Sequence, residues 1–378
     1  MTSRPLTVVQ VLPELNSGGV ERGTVDFARF LVATGYRSLV MSAGGRMEAE
    51  LRAEGSEHIR FPVHRKSVFS LFKVPALRRE LQRLNPDLIH VRSRMPAWLV
   101  WRALRRWPGT ERPVLISTFH GLYSVNFYSA IMGCGDRVIA ISQCVQDYIS
   151  RNYPKIDPNK VRLIHRGVDT RQFHPNIDVS PKWWESLISD IPHIVDKQIL
   201  LMPGRLSAWK GQRTFISLID HLLAQGKEVH GLIVGDPTPG KAAYRAELVA
   251  EVERRGLSKS ITFLGHRSDI AQLYKVSALV FNLSEKPEPF GRTVIEALAV
   301  GTPVIAFDSG GPAESLAVCC ADGLVPPGDI VTLVARAASL LANPPPVKIS
   351  REFTADFQAQ ATLDVYMEAL NERKESAD

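Results

Sequence analysis

The chain has 378 residues, 45% apolar and 22% charged, with a formal net charge of +7, the composition of a globular protein long enough for two domains. No apolar run reaches the roughly 18 residues of a membrane-spanning helix, and the N-terminus lacks the charged region and apolar core of a secretory leader. Cys134, Cys144, Cys319 and Cys320 show no Cys-x-x-Cys spacing and read as buried thiols of a reducing compartment, which predicts a cytoplasmic protein.

The charge is unevenly spread. Residues 1–169 hold 25 Lys and Arg against 14 Asp and Glu, whereas residues 170–378 hold 21 against 25. A basic first half predicts a polyanionic or anionic-membrane partner there.

Taken in chain order, strand-like runs alternate with amphipathic helical stretches, which is the α/β pattern. LTVVQVLPEL opens as a strand and breaks at Asn16-Ser17-Gly18-Gly19. VERGTVDFARFLVATG follows with Val25, Phe27, Phe30 and Leu31 at helical spacing and Gly35 as its stop. YRSLVMSAG, DLIHVR, VLISTFHG, RVIAIS and VRLIHRGVD read as further strands or strand ends. The Pro-rich HPNIDVSPKWWESLISDIP interrupts the pattern, which restarts at QILLMPGRLSAWKG and continues through HGLIVGD, ITFLGH, ALVFNL and TPVIAFDSGG to a final helix. The expected organisation is a first Rossmann-like domain over 1–175, a connection over 176–197 and a second Rossmann-like domain over 198–352. A helix over 353–378 is expected to return toward the first domain. The two domains would face one another, with ligands at the C-terminal ends of the strands.

The densest signal is EPFGRTVIEALAVGTPVIA, in which Glu288 precedes a Gly-containing turn and Glu296 follows inside the next helix. Eight helical positions would cover about 12 Å, beyond the roughly 5 to 9.5 Å between carboxylates that flank one scissile bond. Two hydroxyl-bearing groups at opposite ends of an elongated ligand suit the pair better. The helix start between them, from Gly291 to Thr293, offers backbone N–H groups to an anion. Carboxylate, anion site, carboxylate is the outline of a nucleotide-sugar. A lone Glu is usually a solvated surface charge, but Glu296 lies in an Ala- and Leu-rich helix, where a carboxylate needs a partner.

Arg205 and Lys210, in the loop GRLSAWKG, could clamp a diphosphate, the Arg as a fork and the Lys as a point charge. Taken singly, each reads equally as part of a solvated turn. GGVERG is not a GxGxxG fingerprint, so NAD binding is weakly supported, and Gly18-Gly19 could be only a tight strand-to-helix turn. His120, ending VLISTFHG, is a single histidine, more often structural than catalytic.

Set together, SGGVER, TFHG, IAIS, RGVD, GRLSAWKG, ITFLGH, EPFGRTVIEALAVGTPVIA and GGPAE span nearly the whole chain. The sequence resembles the retaining glycosyltransferases of the GT4 family, of GT-B fold, including bacterial enzymes of lipopolysaccharide and surface-glycan assembly. The resemblance implies that Glu288 meets donor-sugar hydroxyls, that Glu296 binds the ribose diol, and that Arg205 and Lys210 stabilise the departing diphosphate. It implies that His120 lies beside the transferred sugar and that the Gly18 and Gly19 backbone approaches the phosphates. Gly204, Gly265, His266, Pro289, Phe290, Gly291, Arg292 and Thr293 complete the implied donor site. Arg166 stands in RGVD where the family commonly has Asn.

The implied reaction is front-face transfer of a hexose-type sugar with retention, resting on positioning and leaving-group stabilisation. No Asp-x-Asp strand-end loop or His/Asp ligand spacing is found, so no metal or other cofactor is expected. The acceptor is sought in the basic half. RKSVFSLFKVPALRRELQRL combines cations with Val68, Phe69, Leu71, Phe72 and Leu77, and AWLVWRALRRW combines Trp98, Trp101 and Trp107 with Arg102, Arg105 and Arg106. Each could be a helix packed on its sheet, or a basic aromatic segment docking on anionic lipid. The latter predicts a lipid-linked or lipopolysaccharide-type acceptor and peripheral attachment at the cytoplasmic face of the inner membrane. Nucleic acid is not expected, since no recognition helix, zinc spacing or aromatic RNP pattern occurs. A sugar-nucleotide epimerase, a phosphorylase and a catalytically silent sugar- or membrane-binding relative stay open as alternatives.

Overall fold

Strands buried on both faces read as continuous apolar runs, and such runs form two all-parallel sheets. The computed structural model describes residues 4–16, 18–64, 68–108, 112–237 and 242–375. The chain divides into unit 1, Met1–His165 with Ala355–Asp378, and unit 2, Arg166–Thr354.

Unit 1 carries β1 (Thr7–Val11), β2 (Arg37–Ser42), β3 (Glu57–Arg60), β4 (Leu88–Val91), β5 (Val114–Phe119), β6 (Arg137–Ala140) and β7 (Val161–Leu163), in the order β3-β2-β1-β4-β5-β6-β7. Val9 pairs with Leu39 on one side and Ile89 on the other, so the strand order reverses at β1 and β4. Crevices beyond the C-terminal ends of strands at such a switch point are where doubly wound folds bind ligands. Val8, Leu88, Val114, Ile116 and Ile139 form a core with Phe27 and Leu31 of the Gly19–Ala33 helix and with Leu363, Tyr366 and Ala369 of the Ala355–Glu375 helix. The latter helix is also held by charge. Arg137 and Arg162 pair with Glu368, Arg137 also with Glu372, and Arg373 reaches Asp136 at 3.0 Å.

Unit 2 repeats the plan with β8 (Gln198–Pro203), β9 (Val229–Val234), β10 (Ile261–Gly265), β11 (Leu279–Asn282), β12 (Val304–Phe307) and β13 (Leu324–Val325), ordered β10-β9-β8-β11-β12-β13. Its core joins Leu200, Ile233, Phe281 and Ile305 to Phe215, Ile219, Leu333 and Ala337 of the covering helices.

The sequence reading missed β3 and β13. The first is a four-residue strand with charged Glu57 and Arg60 at its ends, the second has two residues, and neither is long enough to show a period. The boundaries also differ from those expected. Unit 2 begins at Arg166 rather than after 175. The segment 176–197 is no bare connection, because Pro181–Asp190 is a helix whose N-cap Ser180 accepts from Trp183 N. Among the described residues no helix is long and apolar enough to cross a membrane.

Candidate active site

The loops that follow the strands of unit 2 bring most of the expected donor residues to one edge of its sheet. Gly204 and Arg205 follow β8, and a 3-10 turn, Ala208–Lys210, carries Lys210. Gly265 ends β10 and His266 follows it, and Glu288 to Thr293 follow β11. The strand ends are stitched by backbone, Gly204 N donating to Val234 O and Gly235 N to Gly265 O, both at 2.8 Å.

Lys210 Nζ donates to Glu288 Oε1 at 2.6 Å, and Ser284 Oγ donates to the same oxygen. Lys210 also lies 4.6 Å from the centroid of the Trp209 ring, a cation–π contact that fixes its stem. Glu288 is buried, as a carboxylate can be only with such partners. The backbone makes the pair possible. Gly211 ends the Lys210 turn at φ 82, and a Cβ there would fall 2.0 Å from Leu283 O. Gly310 pairs with Glu288 as an isolated bridge at φ 67, and a Cβ there would fall 2.5 Å from Glu288 O. Gly311 N donates to Glu288 O at 2.9 Å. The unspecific GGPAE motif thus braces the loop that carries the specific one.

The Arg292–Val300 helix begins at Gly291, without a side-chain cap, so its first turn presents backbone donors. Within this helix Glu296 is only 9% exposed. Its Oε2 accepts from Tyr274 Oη at 3.0 Å and its Oε1 from Arg292 Nη2 at 3.1 Å. Burial raises the carboxyl pKa, while Arg292 and Tyr274 oppose the shift. Burial, together with the Glu296 charge, pushes the Tyr274 hydroxyl well up. Two carboxylate oxygens offer about four lone-pair sites, so Glu296 keeps capacity for ligand hydroxyls. Arg205 is exposed and forms no ion pair among the described residues. His266 is exposed as well. Beside it, Trp183 Nε1 donates to Asp269 at 2.7 Å and Arg267 chelates the same carboxylate. Burial alone would raise the Asp269 pKa, but these two partners hold it below the ordinary value.

Sequence reasoning did not find Ser284, Tyr274, Trp209 or the Trp183–Asp269 contact. Tyr274 meets Glu296 across 22 positions on different elements, and no periodicity links them. Ser284 at four residues before Glu288 was readable as a spacing but lies in a loop, where spacing has no fixed geometry.

In unit 1, Gly18 and Gly19 follow β1, and Gly18 O accepts from Arg22 N at 3.0 Å to start the helix; Ser17 lies outside the described residues. His120 follows β5, its backbone N–H donating to Tyr123 Oη at 3.2 Å. Arg92, directly after β4, is buried and donates to Gln10 Oε1 at 2.9 Å, and burial lowers its pKa to about 10. His90 in β4 joins Tyr366 Oη and Thr118 Oγ1, each at 2.6 Å. Ser42 Oγ lies 2.8 Å from His58 Nε2, whose Nδ1 lies 3.1 Å from Glu48. That serine is wholly buried and also accepts from Gly44 N, so the chain of groups braces the end of β2 and gives no nucleophile.

The two basic segments are built as helices, Val74–Leu84 and Arg94–Leu104. Arg65, Lys66 and Ser67 lie outside the described residues. Leu77 and Trp98, expected on a docking face, are buried in the protein. Among the described residues no group of three His, Cys, Asp or Glu has metal-holding geometry.

Two family models match the chain, Glycosyltransferase Family 4 over residues 17–172 and Glycosyl transferases group 1 over 185–361. The chain belongs to glycosyltransferase family 4, retaining, nucleotide-sugar-dependent enzymes of GT-B fold. A glycosyltransferase structure from Rickettsia africae is 28% identical with a TM-score of 0.84, covering 97% of this chain and 99% of that one. The D-inositol 3-phosphate glycosyltransferase of Streptomyces bingchenggensis is 28% identical over 75% of this chain and 67% of its own length. The lipopolysaccharide core biosynthesis mannosyltransferase LpsB of Rhizobium meliloti is 27% identical over 61% of this chain and 65% of its own length. Matches to curated relatives span between 45% and 67% of the relatives' length.

Proposed function

We propose that the protein transfers a hexose-type sugar, with retention and without a metal, from a nucleotide-diphosphate-sugar to a glycan or glycolipid acceptor. The observation that carries this reading is the pairing of Lys210 with Glu288 one loop away from the Arg292–Glu296–Tyr274 cluster, with an uncapped helix start between them. Glu288 receives hydroxyls of the donor sugar, and Glu296 receives the ribose diol. Lys210, Arg205 and the amides at the start of the Arg292–Val300 helix meet the diphosphate. Gly204, Gly265, His266, Pro289 and Phe290 line the donor, and the resemblance assigns the Gly18 and Gly19 backbone to the donor phosphates and His120 to the transferred sugar.

The bond from the anomeric carbon to the diphosphate oxygen breaks, and the acceptor oxygen attacks on the same face while its proton passes to the departing phosphate. Positive groups at that phosphate act mainly on the transition state, where charge on the leaving oxygen is greatest. Losing one such donor typically costs about 100- to 1,000-fold in turnover.

The acceptor is read as lipid-linked or of lipopolysaccharide type, in surface-polysaccharide assembly at the cytoplasmic membrane face. The excess of basic residues in the first 169 supports this reading, as does the likeness to LpsB. The test is a thermal-shift and hydrolysis screen across UDP-, GDP- and ADP-sugars, with the product anomer read by NMR. One donor should stabilise the protein and release sugar of unchanged anomeric configuration. An inverted product, or epimerised nucleotide-sugar formed without acceptor, would overturn the reading.

A further inference from the structure

Unit 1 has two adjoining cavities that the donor site does not use. One, of about 500 Å³, is walled by Trp98, Trp101, Val125, Phe127, Ile131 and Ile156. The other, of about 640 Å³, is lined by Arg78, Arg102, Arg105 and Arg106, and shares Trp98, Trp101 and Phe127 with the first. Both volumes lie in the usual range of small-molecule sites, about 300 to 1,000 Å³. Among the described residues no carboxylate lines the second cavity and its four arginines form no ion pair. Three of them are fixed from behind. Arg105 stacks 4.9 Å from the Trp101 centroid, Arg102 lies 5.8 Å from that of Trp98, and Arg78 Nε donates to Ala103 O at 2.9 Å.

Four like charges in one depression repel each other unless an anion joins them, and guanidinium forks match phosphate oxygens. The neighbouring cavity asks for the opposite chemistry. At the boundary Phe127 touches Trp98, with centroids 5.1 Å apart, yet remains 81% exposed, and Val125 is 58% exposed. Keeping a phenyl ring in water forgoes roughly 1.5 to 3 kcal/mol of burial. A sugar phosphate would satisfy the arginines and leave the apolar cavity wet. A hydrocarbon chain bearing a phosphate satisfies both.

We propose that the two cavities form one site for a membrane lipid whose phosphate headgroup carries a net negative charge. The phosphate sits among Arg78, Arg102, Arg105 and Arg106, one hydrocarbon chain enters the Trp98–Ile156 cavity, and Phe127 marks the headgroup boundary. The inference rests on the membrane contact proposed above and changes its form. The Val74–Leu84 helix spends Val74, Leu77, Leu81 and Leu84 on the protein core, so it does not lie in a bilayer by its apolar face. Contact comes instead through a pocket that takes a single lipid.

The test uses the full chain with phosphatidylcholine vesicles, with or without phosphatidylglycerol, the acyl chains brominated to quench nearby tryptophan. Wild type should sediment only with the phosphatidylglycerol vesicles and lose emission on binding. R105Q/R106Q should bind roughly thirty-fold more weakly, at about a tenfold loss per 1.4 kcal/mol and about 1 kcal/mol per surface cation. Phe127→Ser, at an exposed position that tolerates the change, should lose most of the quenching while nucleotide-sugar hydrolysis stays at the wild-type rate. Sedimentation without quenching, or equal quenching of Phe127→Ser, would mean adsorption by charge alone and would overturn the site while leaving the membrane reading standing. If no vesicle binds, the membrane reading falls. The pocket is then judged with dihexanoyl phosphatidic acid below its micelle concentration against inorganic phosphate, and equal affinity for the two, or none, overturns it.

Discussion

The two sheets share one topology, yet the groups at the C-terminal ends of their strands differ in kind. Unit 2 holds partly buried ion pairs, Lys210 with Glu288 between two loops and Arg292 with Glu296 along one helix. Unit 1 holds a buried chain built across distant elements, with His90 between Tyr366 and Thr118, and Arg92 donating to Gln10. In the function proposed above, charges in the first meet the donor. Those in the second are satisfied by the fold itself or hidden from solvent. Doubly wound architecture therefore supplies the position, and local loop chemistry decides whether that position binds or braces.

That contrast can be broken most sharply at the ion pair. Lys210→Ala and Glu288→Gln should each lower transfer about 100- to 1,000-fold, with circular dichroism unchanged. The double variant should be little worse than the poorer single one, because the two groups act as a unit. Wild-type turnover in both single variants would remove the site assignment. A smaller effect belongs to Tyr274→Phe, which strips one donor from Glu296. Donor KM should rise about tenfold, the loss of one charge-assisted hydrogen bond, with kcat less affected.

Of a different kind is a pH effect on stability that separates histidines from Glu296. Burial drives the His90 pKa well below its ordinary value and that of His230 to about 4. Between pH 6.5 and about 4 the unfolded chain binds protons at these rings that the native protein refuses. Their contribution to stability is present above pH 6.5 and is lost as pH falls, by roughly 1.4 kcal/mol per pH unit for each ring. Glu296, whose pKa is raised, has the opposite sign, its contribution being lost as pH rises through its native value. Denaturant melts from pH 7 to 5 should show the histidine trend, and His230→Gln should flatten it. The smallest change expected is from Tyr366→Phe, about 1 kcal/mol of stability for one buried hydrogen bond, with donor hydrolysis unmoved. A large fall in hydrolysis there would erase the distinction between the two ends.

Legibility followed the same division. Glu288, Glu296, Arg205 and Lys210 could be picked out because each lies in a short loop or helix whose residue types already state a chemistry, and GGPAE could be quoted beside them without its bracing role. What was hidden depends on contacts across the chain. Tyr274 reaches Glu296, Trp183 reaches Asp269, and Tyr366 reaches His90 across 276 positions. The strand pattern was readable wherever burial on both faces left a continuous apolar run. It failed at β3, where charge at both ends of four residues left no run to see. In the basic segments the sequence carried both the apolar and the cationic residues, but only packing separates Leu77, spent on the core, from Phe72, left at the surface.

The Ala355–Glu375 helix belongs to the unit that the chain left some 190 residues earlier. On the ribosome, the sheet of unit 1 is therefore made first and stays unfinished while all of unit 2 is synthesised. Until that helix emerges, His90 lacks Tyr366, Arg162 lacks Glu368, and the apolar groove that takes Leu363 and Ala369 faces water. Unit 2 is continuous and needs no residue beyond Thr354, so its core can close while the last helix is still inside the ribosome and the first half is still open. Any chaperone dependence of this protein should accordingly concentrate on residues 1–165, and emergence of that helix should end it.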